Sequence, residues 1–332
     1  MNNFQFHSGE PLVLDGGLGT QLEKKGCDVS SRLWSARVLL DRPDMVEQVH
    51  SEYLEAGADC ITTASYQVSF EGFSKAGLSR KQTVKALQES VHLAQTSRQK
   101  FLLKHPRSRL PIIAASVGPY GASLGDGSEF HGNYQASMRE LFTFHSSRLN
   151  ILHAAGPDIL ACETIPSLME AEAILSALRQ VSGSCAWFSF TCRDRLHTAH
   201  GERLRDCVRV VAKEDLVLAI GVNCTAPELI APLIEEIRSE AEKPIVVYPN
   251  SGQKWNAADR CWVGKKHAED LGDMAKNWLR LGATWIGGCC GTGPDDIREL
   301  ARASVPEDST TNPCGCFSST RSCRRGGKDG MK

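Results

Sequence analysis

Short runs of apolar, β-prone residues recur along this chain, and several end in a polar or glycine-rich turn. They are Leu12-Val13-Leu14-Asp15, Cys60-Ile61-Thr62-Thr63, Ile112-Ile113-Ala114-Ala115-Ser116 and Ile159-Leu160-Ala161-Cys162-Glu163. Four more follow: Ala186-Trp187-Phe188-Ser189-Phe190, Leu218-Ala219-Ile220-Gly221-Val222-Asn223-Cys224, Ile245-Val246-Val247-Tyr248-Pro249-Asn250 and Trp285-Ile286-Gly287-Gly288-Cys289-Cys290. Near-continuous apolar runs suit parallel strands buried on both faces. Amphipathic helices are predicted between them. Asp41 and Pro43 read as the cap and early proline of one that Gly57 closes, with Val46, Val49, Tyr53 and Leu54 on one face. Leu168, Ala171, Leu175 and Leu178 form a second stripe, with Gly183 beyond its end. Pro227 opens a third, with Leu229, Ile230, Leu233, Ile234 and Ile237 inward. Eight alternations of this kind predict an α/β chain folded as a (β/α)8 barrel, a doubly wound open sheet being the alternative.

The length of 332 residues fits two domains of roughly 150 residues or one barrel of about 250 with extensions. The repeating pattern places a single barrel domain over residues 1–305. From about Pro306 the chain is rich in Ser, Thr, Gly, Arg and Lys without helical or strand period, so residues 306–332 read as a disordered tail. That tail carries Cys314, Cys316 and Cys323, readable as a metal or lipid site or as an untethered end. Its closing Gly-Met-Lys is not a prenylation box.

Hydrophobic residues make up 41% and charged residues 23%, the composition of a globular enzyme rather than a disordered chain. Lys plus Arg number 38 against 39 Asp plus Glu, so no global field attracts nucleic acid or an anionic membrane. No run of about 18 apolar residues suggests a membrane span. The polar start lacks the basic and apolar regions of a secretory signal. An intracellular, cytoplasmic protein is expected, and the 13 cysteines are then expected as thiols rather than disulfides. Most read as small buried hydrophobes; some are candidates for metal binding or catalysis.

In a barrel, reacting groups gather where strands end. Those ends carry Asp15, Thr62, Thr63, Ser116, Glu163, Asn223, Cys224, Asn250, Cys289 and Cys290. The sixth and eighth strands, roughly 10 Å apart, therefore aim three thiols at one barrel mouth. Three thiolates suit Zn2+ and leave one tetrahedral position open, as catalytic sites do. Adjacent cysteines can both bind if the backbone bends, and Gly287, Gly288 and Gly291 permit it. Such an ion, carrying net −1 with its thiolates, polarises water poorly but can hold a substrate thiol as thiolate. A free thiol of pKa about 8.5 is only about 3% ionised at pH 7, so the gain is a nucleophile for soft carbon, as in alkyl transfer. Cys289 and Cys290 also read as two core residues or a redox-active vicinal pair. Gly291-Thr292-Gly293-Pro294 reads alternatively as a phosphate nest. Asp15-Gly16-Gly17-Leu18-Gly19-Thr20 resembles a nucleotide loop only weakly, without the G-x-G-x-x-G order or a P-loop lysine.

Several strings together resemble the homocysteine S-methyltransferase family. They are Asp15-Gly16-Gly17-Leu18-Gly19-Thr20-Gln21-Leu22-Glu23, Gly57-Ala58-Asp59, Ala115-Ser116-Val117-Gly118-Pro119-Tyr120-Gly121 and Glu163-Thr164-Ile165-Pro166. Gly221-Val222-Asn223-Cys224-Thr225, Tyr248-Pro249-Asn250-Ser251-Gly252 and Gly287-Gly288-Cys289-Cys290-Gly291-Thr292 continue the match, in order, from about residue 10 to 303. The resemblance implies a barrel, one Zn2+ per chain on Cys224, Cys289 and Cys290, homocysteine as methyl acceptor and methionine as product. The stretch Thr62-Thr63-Ala64-Ser65-Tyr66-Gln67 is similar to the plant-type branch, which implies S-methylmethionine as donor and S-adenosylmethionine as a second candidate.

The homocysteine ammonium then calls for a carboxylate, Glu163 first and Asp15 second, and its carboxylate for backbone N–H groups near Gly16 and Gly17. Glu163 reads otherwise as a structural ion-pair partner and Asp15 as a turn residue. Tyr66, Gln67, Ser116, Asn223 and Asn250 are the candidates for the donor pocket, although Asn223 also reads as a turn former and Tyr66 as a core aromatic. The partners expected are small molecules, neither nucleic acid nor membrane. A selenol acceptor such as selenocysteine is the alternative within the class, and a non-catalytic zinc or redox-sensing module the alternative outside it.

Overall fold

The computed structural model describes residues 10–256, 261–263 and 271–305. Eight parallel strands follow one another: Leu12–Val13, Cys60–Thr62, Ile112–Val117, Ile159–Ile165, Ala186–Phe190, Val217–Asn223, Ile245–Tyr248 and Ala283–Ile286. From the second strand to the eighth each pairs with its sequence neighbour, and the first pairs with the eighth. A bridge between Leu14 and Cys60 joins the first strand to the second, supported by Asp15 N–H donating to the Cys60 carbonyl at 2.9 Å. The sheet thus forms a nearly closed barrel with helices between its strands, the predicted single-domain (β/α)8 architecture rather than an open sheet.

Alternate residues of each strand fill the interior. Leu14, Ala114, Trp187, Val246, Tyr248 and Trp285 belong to one buried cluster; Trp187 and Trp285 meet edge to face with centroids 5.7 Å apart. The other strand face packs against the helices in a second, larger cluster, which explains why the strands read as unbroken apolar runs.

The helix ends differ from expectation in one place. Asp41 closes the helix Ser35–Asp41 rather than capping the next one, because its carboxylate pairs with Arg37 one turn earlier at 2.5 Å. The following helix, Pro43–Glu55, starts on Pro43 with Arg42 before it. Leu168–Leu178 is helical as predicted. Pro227 opens a single 3-10 turn, Pro227–Leu229, that leads into the helix Ile230–Arg238. Two long helices, Arg80–Lys104 and Met138–Ala154, start at capping boxes made by Ser79 with Gln82 and Ser137 with Glu140. The tail reading from Pro306 onward, with Cys314, Cys316 and Cys323, lies outside the described residues, as does residues 1–9. Among the described residues no helix is long and apolar enough to cross a membrane.

The last strand stops at Ile286 rather than running to Cys290. Gly287 still donates to the Val247 carbonyl at 2.9 Å and Gly288 to the Asp15 carbonyl at 3.1 Å, after which the chain turns over the barrel mouth. On the sixth strand a side chain is excluded at Gly221: an added Cβ would stand 1.6 Å from the Val246 carbonyl oxygen. Gly221→Ala is therefore expected to destabilise the protein by more than about 3 kcal/mol, through forced separation of neighbouring strands. Urea denaturation measures it, and a loss below 1 kcal/mol would contradict this account of the pairing.

Candidate active site

Cys224 follows the sixth strand directly and adopts φ +47°, left-handed for a residue with a Cβ, at a cost of roughly 1–3 kcal/mol. Its backbone is held there on both sides. Its N–H donates to the Tyr248 carbonyl at 3.2 Å, and its carbonyl accepts from Thr191 Oγ1 at 3.3 Å. Cys289 is anchored by its N–H on the Pro249 carbonyl at 2.8 Å and by Thr292 Oγ1 on its own carbonyl at 2.6 Å. The turn needs glycine at two positions. Gly291 has φ +82°, and a Cβ on Gly288 would lie 2.2 Å from Thr292 Oγ1.

These turns bring three sulfur atoms together. Cys224 Sγ lies 2.7 Å from Cys289 Sγ and 3.7 Å from Cys290 Sγ, and all three fall within 4.8 Å of one another. Hydrogen bonds from the Cys224 and Cys290 thiols hold the Cys289 sulfur well below the usual thiol range, while the same contacts and burial push Cys224 up. Two thiolates on one tetrahedral ion at about 2.3 Å per bond stand roughly 3.8 Å apart, close to the Cys224–Cys290 spacing. The donor set is soft, convergent and able to hold one metal ion.

Two carboxylates share the cavity above the sulfurs. Asp15 accepts from Thr62 N–H at 2.8 Å and from Thr62 Oγ1 at 3.0 Å; burial nonetheless pushes its carboxyl well above the usual range. Glu163 accepts from Ser116 Oγ and from Tyr248 Oη at 3.1 Å. Burial first, offset by the Ser116 bond, and the Cys289 charge next, raise it to about 7.

Of the remaining expected site residues, Gly16, Gly17, Tyr66, Gln67 and Ser116 also line this cavity. The Gly17 N–H, expected to hold a carboxylate, instead donates to the Thr292 carbonyl at 3.1 Å. Asn223 and Asn250, expected in the donor pocket, are not among the residues lining the cavity. Asn223 is wholly buried. Its Oδ1 accepts from Thr164 N–H at 2.7 Å and Ser189 Oγ at 2.8 Å, and its Nδ2 donates to Thr164 Oγ1 at 2.8 Å. It braces Thr164, which has φ +59° and directly follows Glu163. Asn250 Oδ1 accepts from Gly252 N–H at 2.8 Å, a local turn.

Sequence reasoning missed Trp34, Glu129 and the role of Tyr248. Tyr248 ends the seventh strand, and its hydroxyl meets Trp187 Nε1 at 3.0 Å and Ser189 Oγ at 2.5 Å as well as Glu163. Its position at a strand end was the available signal. Trp34 and Glu129 line the cavity from connecting segments that carry no strand or helix period, so no pattern pointed to them.

Strand ends that deliver thiols and buried carboxylates into one cavity define a barrel enzyme of the thiol-cluster kind. The chain matches the family model described as homocysteine S-methyltransferase over residues 12–304. The homocysteine S-methyltransferase YbgG of Bacillus subtilis (strain 168) is 45% identical over 296 residues, covering 87% of this chain and 93% of that protein. Homocysteine S-methyltransferase 4 of Zea mays is 44% identical over 314 residues, covering 91% and 92%. The metallated crystal form of the homocysteine methyltransferase MmuM from Escherichia coli aligns with a TM-score of 0.81 at 39% identity, covering 89% of this chain and 96% of that one. The chain belongs to the homocysteine S-methyltransferase family.

Proposed function

We propose that the protein transfers a methyl group from S-methylmethionine to the thiol of homocysteine, giving methionine, with one zinc ion held by Cys224, Cys289 and Cys290. The observation that carries this reading is the convergence of these three thiols beneath a cavity that also holds the buried carboxylates Asp15, Glu129 and Glu163. Zinc in this sulfur set would supply an open position that keeps an incoming thiol deprotonated. The chain's own groups do the rest. Glu163, oriented by Ser116 and Tyr248, takes the homocysteine ammonium, with Asp15 second. Gly16 lies along the wall where the substrate carboxylate fits, and Tyr66, Gln67 and Ser116 border the donor's space.

The cavity's charge supports a cationic donor. Among the described residues its lining includes Asp15, Asp126, Glu129 and Glu163, against Arg32 as the one lysine or arginine. Four carboxyl groups against one guanidinium accord with a cationic sulfonium donor rather than an anionic one. The sulfonium leaves as a neutral thioether, so no general acid is needed. The sulfur-to-carbon bond to homocysteine forms as the donor's breaks, and the thiol proton passes to solvent. Catalysis rests on in-line alignment of the two sulfurs about the methyl carbon. S-adenosylmethionine satisfies the same charge logic as a second donor, and reduced thiols accord with residence in the cytoplasm.

Methionine formation should be measured with S-methylmethionine, S-adenosylmethionine and methyltetrahydrofolate as alternative donors to homocysteine. S-methylmethionine is expected to be used fastest and the folate not at all. No product from S-methylmethionine would overturn the proposal.

A further inference from the structure

The cavity holds a third buried carboxylate that the acceptor chemistry does not use. Glu129 lies on the 3-10 turn Ser128–Phe130, is 8% exposed and lines the cavity. Its Oε2 has no hydrogen-bond partner among the described residues. A buried carboxylate oxygen without a donor costs free energy that a ligand's cationic N–H group would recover. The turn is fixed rather than adaptable. Asp126 Oδ1 accepts from Ser128 N–H at 3.0 Å, and Gly121 packs so closely that a Cβ there would stand 2.5 Å from Glu129 N. Gly125, at the other end of this segment, lies against Arg32, whose carbonyl would be 3.1 Å from an added Cβ. The segment 125–130 thus packs on the backbone of Arg32 and presents the Glu129 carboxylate to the cavity.

Resting on the sulfonium-donor reading above, we propose that Glu129 binds the α-ammonium of the methyl donor. The ammonium is the better partner than the sulfonium for a reason of charge. The sulfonium's charge vanishes during transfer, so a carboxylate against it would stabilise the ground state over the transition state. The α-ammonium keeps its charge throughout, so binding it lowers KM and leaves kcat alone. Tyr66, whose phenol is raised by burial first and by the Glu129 charge next, stands near enough to feel this carboxylate. With Asp15 and Glu163 assigned to homocysteine, the cavity then offers separate carboxylates to the two amino-acid substrates.

The test uses the metal-loaded full chain and two donors: S-methylmethionine and (3-carboxypropyl)dimethylsulfonium, which lacks only the amino group. For Glu129→Gln the KM for S-methylmethionine is expected to rise about tenfold or more, with kcat and the KM for homocysteine within about twofold of wild type. Wild type should show a similar loss on the deaminated donor, and the substitution should add little to it. An unmoved donor KM in Glu129→Gln, or equal use of the two donors by wild type, overturns this inference while leaving the methyl-transfer reading intact. A kcat that rises together with the donor KM also overturns it, by placing the carboxylate against the sulfonium. Failure of wild type to use S-methylmethionine at all overturns both. Should Glu129→Gln fold poorly, the wild-type comparison of the two donors decides alone.

Discussion

Cys289→Ser should bind no more than about a tenth of a metal ion per chain and form no measurable methionine, while keeping its helical circular dichroism. A serine hydroxyl does not ionise near neutrality, and its hard oxygen is a poor substitute for thiolate toward a soft ion. The same change at Cys185, which is partly exposed and outside the sulfur trio, should leave metal content and turnover near wild type. Metal analysis by mass spectrometry and a methionine assay check both variants. A fully metallated and active Cys289→Ser protein would remove the sulfur trio from the chemistry. The effect is large because the site has no reserve: among the described residues this is the one cluster of three ligand-bearing side chains, and two remaining thiols cannot fill three positions.

The second large effect is expected at Glu163. Replacing it with glutamine keeps its shape and removes the charge that, in the proposed function, faces the acceptor's ammonium. Loss of one partner of a buried charge pair costs about 3 kcal/mol, which corresponds to roughly a 150-fold drop in kcat/KM for homocysteine. The donor's KM should change far less. The pH dependence carries the sign. Glu163 is raised to about 7 by burial, so it is largely protonated below that value and unable to pair with an ammonium. The KM for homocysteine should fall as pH rises from 6 to 8, and that slope should flatten in Glu163→Gln. Stability runs the other way. A carboxyl whose folded pKa lies above its ordinary 4.5 contributes stability that is full below 4.5 and is lost as pH rises through about 7. Glu129 and Glu170, raised by burial to about 7 and about 8, act with the same sign. The ligand-free, metal-free protein should therefore lose stability across this window, and Glu163→Gln should remove one of these contributions. Chemical denaturation at several pH values reads this out; a pH-independent homocysteine KM in wild type would contradict the assignment.

The eight strands were legible because a parallel strand covered on both faces leaves an unbroken apolar run, and all eight runs fall on strands of the barrel. Their ends were less so. Ile159–Ile165 runs two residues past the predicted stop, since the register shift after Cys162 has no apolar or polar signature. The eighth run extends too far because Gly287 and Gly288 keep donating to neighbouring strands after the strand has ended. The helix at Pro43 was found, but Asp41 was given to the wrong helix, as a single side chain with two neighbours can pair either way.

The sulfur trio and the two carboxylates Asp15 and Glu163 follow from sequence because strand ends of a barrel share one mouth, and a residue's place at such an end sets its direction. The asparagines show the limit of that rule. Asn223 also ends a strand, yet it stays out of the cavity lining: its side chain holds Thr164, a contact between positions 59 residues apart in sequence, and bears on the Cys289 sulfur from behind the cavity wall. Glu129 and Trp34 show the converse, reaching the cavity from segments without periodicity. Hydrophobic pattern is a local property, so the chain alone determines the strands, the barrel and the inventory of groups at its mouth. Which of those groups face the cavity, and which brace their neighbours, depends on hydrogen bonds between distant segments, and only the folded arrangement decides it.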